Sequence, residues 1–181
     1  YNSKNITSVK KDGTDIVLKT EDGIALTSKE LLVAAGRSFS FESLKLENAN
    51  VQYGKQGISV NKHLQTNQRH IYAVGDCNGH YLLTHAAMHQ GMLALMNCMM
   101  PFFAKFNFNK FVVPWTVFTE PQVSQVGLSE SQLKAKNIKY ETIAVKYEDY
   151  GAAIAEGVGA GFCKVFTNAL GRIYGVCIVG E

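Results

Sequence analysis

Over residues 2–27, short runs of alternating hydrophobic and polar positions are broken at Lys11, Asp12 and Gly13 and again at Glu21, Asp22 and Gly23. Asp-Gly between alternating runs is a hairpin signal, because the tight type I′ turn needs positive φ at both central residues. The stretch is predicted to be a three-stranded antiparallel meander. Leu31, Leu32, Val33, Ala34 and Ala35 follow as a continuous apolar run that ends in Gly36 and Arg37. Without alternation the run fits a strand covered on both faces, so a buried parallel strand is predicted. Residues 41–65 read as a connecting stretch, with Leu44 and Leu46 packed beneath it and a short strand at 56–60.

Ile71, Tyr72, Ala73 and Val74 form a second unalternated run, again predicted to be a buried strand, with Gly75 and Asp76 at its end. After a loop at Asn78 and Gly79 a helix is predicted to begin near Thr84 and to end or bend at Pro101. It carries Ala86, Ala87, Met88, Met92, Leu93, Ala94, Leu95, Met96 and Met99 and is apolar almost all round, which predicts burial against a sheet. The pattern changes at Pro114. Residues 115–118 and 123–127 read as short strands, and Ser129 as the N-cap of a helix reaching about Lys136. Strands at 138–147, 161–167 and 172–179 complete an α+β layout, the last two separated by a turn at 168–171.

Composition narrows the function classes. In 181 residues, 46% are hydrophobic, enough for a sizeable core in one or two domains. The net charge of +3 comes from lysines and arginines scattered among acids, which predicts a solvated surface and no nucleic-acid partner. No apolar run reaches transmembrane length and no signal peptide is visible, so no membrane association is predicted. Cys77, Cys98, Cys163 and Cys177 form neither a CxxC nor a metal-ligand spacing. Cys98, Cys163 and Cys177 are predicted to be buried small hydrophobes, and the compartment to be reducing and cytoplasmic. His85 and His89 stand one helical turn apart, but no third ligand accompanies them and no metal is expected. His63 and His70 have no acidic company and are expected to be exposed. Opening on Tyr1 inside strand-like sequence predicts a piece of a longer chain.

The chemistry concentrates at residues 66–91. An unpaired carboxylate is too costly to bury, so Asp76 either caps its own turn or accepts hydrogen bonds from a bound polar molecule. The helix beginning near Thr84 presents free backbone N–H groups and the positive end of its dipole. One feature could hold a polyol and the other an electron-rich ring edge.

Thr66, the run Ile-Tyr-Ala-Val-Gly-Asp at 71–76 and Leu-Leu-Thr-His-Ala-Ala at 82–87 together resemble the second flavin-binding segment of the pyridine nucleotide–disulfide oxidoreductases. That family includes the dihydrolipoyl dehydrogenase, glutathione reductase and mercuric reductase types. The resemblance implies that Asp76 holds a ribityl hydroxyl of FAD, with Gly75 beside it in the cofactor-binding turn. It also implies that Leu83, Thr84, His85 and Ala86 set helix N–H groups against the pyrimidine edge of the flavin. Gly36 and Arg37 match the place where the family's chain crosses from the NAD(P) domain back towards FAD. The run from Pro114 through Val-Phe-Thr and Glu-Pro to Val-Gly-Leu, with Gly-Phe-Cys-Lys-Val at 161–165, resembles the family's interface domain, which implies a homodimer.

The expected organisation is α/β plus α+β: the end of an NAD(P)-binding domain (1–36), the second half of an FAD-binding domain (37–110) and a dimerisation domain (111–181) lacking its C-terminal part. No GxGxxG, no CxxxxC cysteine pair and no HPxxxE motif occurs in the sequence, so no catalytic residue is expected in it. The leading expectation is therefore part of an enzyme passing electrons between NAD(P)H and a disulfide or similar acceptor. A non-catalytic interface module without flavin is the second reading, and a generic α/β binding domain the third.

Overall fold

The alternation at the amino-terminal end folds into an antiparallel meander in the order β1-β2-β3, made of β1 (Ile6–Asp12), β2 (Asp15–Thr20) and β3 (Ala25–Ser28). This is seen in a computed structural model that describes residues 1–180. The chain divides into two units, Tyr1–Ser38 and the remainder from Phe39. The hairpin turns are not the two-residue Asp-Gly turns expected. Asp12 pairs with Asp15, which leaves Gly13 and Thr14 as the loop, with Gly13 at φ +61°. In the second turn Gly23 N donates to Thr20 O (3.1 Å), so Glu21 and Asp22 are central and Gly23, at φ +83°, closes it. The Asp22 carboxylate accepts from Thr20 Oγ1 and from Lys4 Nζ, both at 2.5 Å, and the Lys4 ammonium holds that carboxyl below its ordinary range. In each hairpin the glycine takes the left-handed conformation that a side chain resists.

The strand expected over residues 31–35 does not form, and Leu32 is 91% exposed. A parallel strand exists only by hydrogen bonding to neighbours, and no strand of this unit pairs with it. Residues 71–74 likewise are not a strand; they make a single bridge between Tyr72 and Gln65 and lie over the core of the second unit. The segment expected at 56–60 reduces to β5 (Gly57–Ile58), paired with β4 (Tyr53–Gly54).

The second unit is built around α1 (Thr84–Met99), which starts and stops where the sequence predicts. The helix is not buried all round as expected but on one face only. Ala86, Gln90, Leu93, Ala94 and Asn97 are buried, while Met88, Met92, Leu95 and Met99 form one exposed stripe. Leu93 and Ala94 pack with Leu64 and Phe108, and a neighbouring cluster gathers Phe41, Val51, Ile58 and Ala73. Two buried amides on the inner face are tolerated because they satisfy backbone groups of loops that cross the helix. Asn97 donates to His63 O (3.1 Å) and Phe106 O (3.0 Å) and accepts from Phe106 N (2.7 Å). His63 belongs to the same network. It is buried rather than exposed, because its Nδ1 donates to Phe106 O (3.0 Å) and so replaces the water it gives up.

Beyond Pro114 the strands β6 (Trp115–Val117), β7 (Gln122–Gly127), β8 (Glu141–Lys146), β9 (Phe162–Thr167) and β10 (Ile173–Gly180) form one antiparallel sheet in the order β6-β7-β10-β9-β8. The helix α2 (Glu130–Ala135) starts with a full capping box. Ser129 Oγ accepts from Gln132 N, and Gln132 Oε1 accepts from Ser129 N. A short helix, α3 (Gly151–Glu156), is not legible in the sequence, since no side chain caps its start and six residues are too few to show a period. Among the described residues no helix is long and apolar enough to cross a membrane.

Candidate functional site

Val74 is extended, Gly75 turns the chain at φ +76°, and residues Gly75–Asn78 form one turn of 3-10 helix closed by Gly79 in the left-handed region. Asp76 is half-buried on this turn, while Gly75 and Asn78 at its two ends are buried. The turn is wedged between two partners. On one side a Cβ on Gly79 would lie 1.8 Å from Gln56 O and one on Gly57 would lie 2.6 Å from Cys77 O, so two backbones touch where only glycine fits. On the other side a Cβ on Gly75 would stand 3.0 Å from Ala87 Cβ at the end of the first turn of α1. Gln90, one turn further, accepts from Gly75 N (2.8 Å) and Asn78 Nδ2 (2.7 Å).

The start of α1 lies in the same unit. Leu83 is its N-cap and supplies no side-chain cap, no acidic residue stands in the first turn, and the first helical bond runs from Ala87 N to Leu83 O (3.0 Å). The N–H groups of Thr84, His85 and Ala86 therefore precede the helical ladder and keep the positive end of the dipole. Thr84 and His85 are exposed, Leu83 is half-buried and Ala86 is buried. His85 Nε2 donates to Pro114 O (2.7 Å), which ties the helix start to the segment entering β6. A cleft of about 380 Å³ opens between them, lined by Leu83, Thr84, His85, Pro114, Trp115 and Phe118. His89 stacks edge-on against Phe111 at 4.6 Å, and its buried Nε2 makes no hydrogen bond among the described residues.

The structure thus brings Gly75 and Asp76 against the helix that begins at Leu83, Thr84, His85 and Ala86. Gly36, at φ +90°, and Arg37 lie in the first unit, where both are exposed. Sequence reasoning missed Gln90, Asn78 and Pro114. The available signal was a lone glutamine in an otherwise apolar helix, which needs a polar reason to be buried. No cluster of three or more metal-ligating side chains occurs among the described residues.

Cys98 is exposed, against expectation, because the outer side of α1 is the side that carries it. Cys77 is half-buried, burial pushes its thiol above the ordinary value, and its Sγ donates to Val74 O (3.2 Å). Thiolates are the reacting species, so at neutral pH an alkylating reagent should label Cys98 well before Cys77. Mass spectrometry of the labelled peptides checks this, and preferential labelling of Cys77 would contradict it.

A carboxylate half-exposed on a turn accepts hydroxyl donors, and an uncapped helix start donates to an electron-rich edge. The residues present therefore fit a ligand with a polyol arm and a ring that takes up negative charge, as FAD does.

Residues 1–91 match the family model described as pyridine nucleotide-disulphide oxidoreductase, and residues 113–181 match its dimerisation domain. The chain is 32% identical over 157 residues to dihydrolipoyl dehydrogenase of Chlamydia pneumoniae, covering 83% of this chain and 32% of that protein. It is 31% identical over 185 residues to mycothione reductase of Mycobacterium tuberculosis, covering 98% of this chain and 39% of that protein. The crystal structure of LpdA from Mycobacterium tuberculosis superposes with a TM-score of 0.87 at 25% identity, covering 99% of this chain and 39% of that one. The Escherichia coli flavoprotein disulfide reductase RclA shares the fold at a TM-score of 0.82 and 22% identity, over 97% of this chain and 40% of its own. The chain thus spans between 32% and 39% of the length of these curated relatives.

Proposed function

The chain belongs to the pyridine nucleotide–disulphide oxidoreductase family, and on that premise we propose that it serves an FAD-dependent enzyme passing electrons between NAD(P)H and a disulfide or similar acceptor. Its part is to supply FAD contacts and the dimer interface. One observation carries the reading: the turn bearing Asp76 is docked on the same helix whose uncapped start faces the His85–Pro114 cleft. In this reading the Asp76 carboxylate accepts a ribityl hydroxyl, with Gly75 allowing the turn to lie close to α1. The N–H groups at Leu83, Thr84, His85 and Ala86 face the pyrimidine edge. FAD, when bound, supplies the two-electron chemistry. The chain's own contribution is a fixed dipole aimed where reduction places negative charge, so that no reorganisation is needed when the charge arrives.

Residues 1–36 belong in this reading to the end of an NAD(P) domain, 37–110 to the FAD domain and 111–181 to the interface domain. Gly36 and Arg37 mark the crossover between the two nucleotide sites. The five-stranded sheet leaves Ile143 and Ile178 exposed, which supports a second copy of the chain as partner through 111–181. All four cysteines are free thiols, which supports a reducing, cytoplasmic compartment.

The natural protein that carries this sequence, purified from its source, should show flavin absorbance that NADH or NADPH bleaches in the absence of oxygen. A colourless protein that takes up no added FAD would reject this reading in favour of a non-catalytic interface module.

A further inference from the structure

Gln90 is 3% exposed in the second turn of α1, yet only half of its amide is used. Its Oε1 receives two donors, Gly75 N (2.8 Å) and Asn78 Nδ2 (2.7 Å), while its Nε2 is buried with no acceptor among the described residues. Gly75 and Asn78 are the two ends of the turn in which Asp76 is the second residue. Asn78, itself 5% exposed, also donates to Ala73 O (3.0 Å) and accepts from His80 N (3.1 Å), so the far end of the turn is pinned in both directions. One oxygen atom on the helix therefore fixes the backbone on either side of Asp76. Both donors converge on the same oxygen, so the acceptor half of the amide is the part that holds the turn.

We propose that Gln90 is a positioning residue that sets the direction of the Asp76 carboxylate towards FAD, acting through the Gly75–Asn78 turn. The inference rests on the reading that Asp76 holds the cofactor, and its test separates the two. It also predicts that glutamate substitutes for glutamine here. A protonated glutamate keeps a carbonyl oxygen for the two donors and puts a single O–H where the amide N–H groups stood, and an ionised one offers two acceptor oxygens and no donor. Methionine, of similar length, removes the acceptor and leaves Gly75 N–H and one Asn78 donor unmet.

The test titrates FAD into the apo form of the natural protein and reads flavin fluorescence, for the wild type, Gln90→Met, Gln90→Glu, Asp76→Ala and the Gln90→Met/Asp76→Ala pair. Gln90→Met should weaken FAD binding about tenfold, the loss of one satisfied buried acceptor. Gln90→Glu should bind within about twofold of wild type, and the pair should bind no more weakly than Asp76→Ala alone. Unchanged affinity in Gln90→Met, a glutamate variant as weak as the methionine one, or losses that multiply in the pair would each overturn the proposal. Should Gln90→Met not fold, Asn78→Ala removes one arm of the same clamp, and unchanged FAD affinity there overturns it equally. Amide hydrogen exchange at Gly75 in the apo form reports on the clamp without the cofactor. Gln90→Met should speed it about tenfold, and equal exchange rejects the clamp. If Asp76→Ala leaves FAD affinity intact while Gly75 exchange still accelerates, the cofactor reading has failed and the clamp has not.

Discussion

Asn97→Leu is expected to destabilise the protein by about 3 kcal/mol, although it places an apolar residue of similar volume on a buried helix face. The Asn97 side chain is fully buried and makes three hydrogen bonds to backbone groups of two different loops. Leucine would leave Phe106 N–H without an acceptor and deprive His63 O of its donor, inside a low-dielectric region where water cannot replace them. The loops at 61–66 and 105–108 are held to α1 here, since Phe108 N also donates to Lys62 O (3.0 Å) and Lys105 Nζ donates to Asn97 O and to Tyr72 Oη. Chemical denaturation of wild type and variant would measure the loss as a shift in midpoint at constant slope. An unchanged midpoint would mean that the loops are held by apolar contact alone. Asn97→Asp is a useful companion: it keeps the acceptor for Phe106 N–H but loses both amide donors.

Asp76→Ala is expected to weaken FAD binding about fiftyfold, equivalent to about 2.3 kcal/mol, with the fold intact. Hydrogen bonds to an ionised carboxylate are worth roughly twice those between neutral groups, and the half-buried setting of Asp76 shields them from water on one side. Asp76→Asn should fall between the two, since it keeps one acceptor oxygen and loses the charge. Equilibrium titration of the apoprotein with FAD measures the affinity, and thermal melts without FAD verify that each variant folds. Wild-type affinity in Asp76→Ala would remove the aspartate from the cofactor site and leave the start of α1 as the sole contact proposed for this chain.

The two predictions draw on different kinds of information. Asp76 could be singled out before any fold was known, because a carboxylate after an apolar run and before a helix has few cheap places to go. Asn97 could not. It sits among Leu95, Met96, Cys98 and Met99, and a reading by hydropathy makes it the outlier on a buried apolar helix. Its value comes from loops that arrive from 34 and 9 positions away in sequence. The same holds for His63, whose partner is the Phe106 carbonyl 43 positions away, while the partners of Gln90, Gly75 N and Asn78 Nδ2, become visible only in the fold. The unalternated runs at 31–35 and 71–74 failed for a related reason. An apolar run states that a segment avoids water, and only neighbouring strands turn it into a sheet.

What the sequence determined by itself was the local chemistry of starts, stops and periods: the meander, the limits of α1, the Ser129 cap, the hairpin of β9 and β10, and the family to which the flavin-segment motif points. Each rests on interactions within a few residues, or on a motif read as a unit. What the tertiary structure decided was which side of α1 faces inward and how the Asp76 turn is seated. The outer stripe of α1 is as apolar as its inner side, and the inner side includes two amides. That arrangement is favourable only because particular backbone groups converge on Gln90 and Asn97, and hydrogen-bond partners distant along the chain are invisible until the chain is folded.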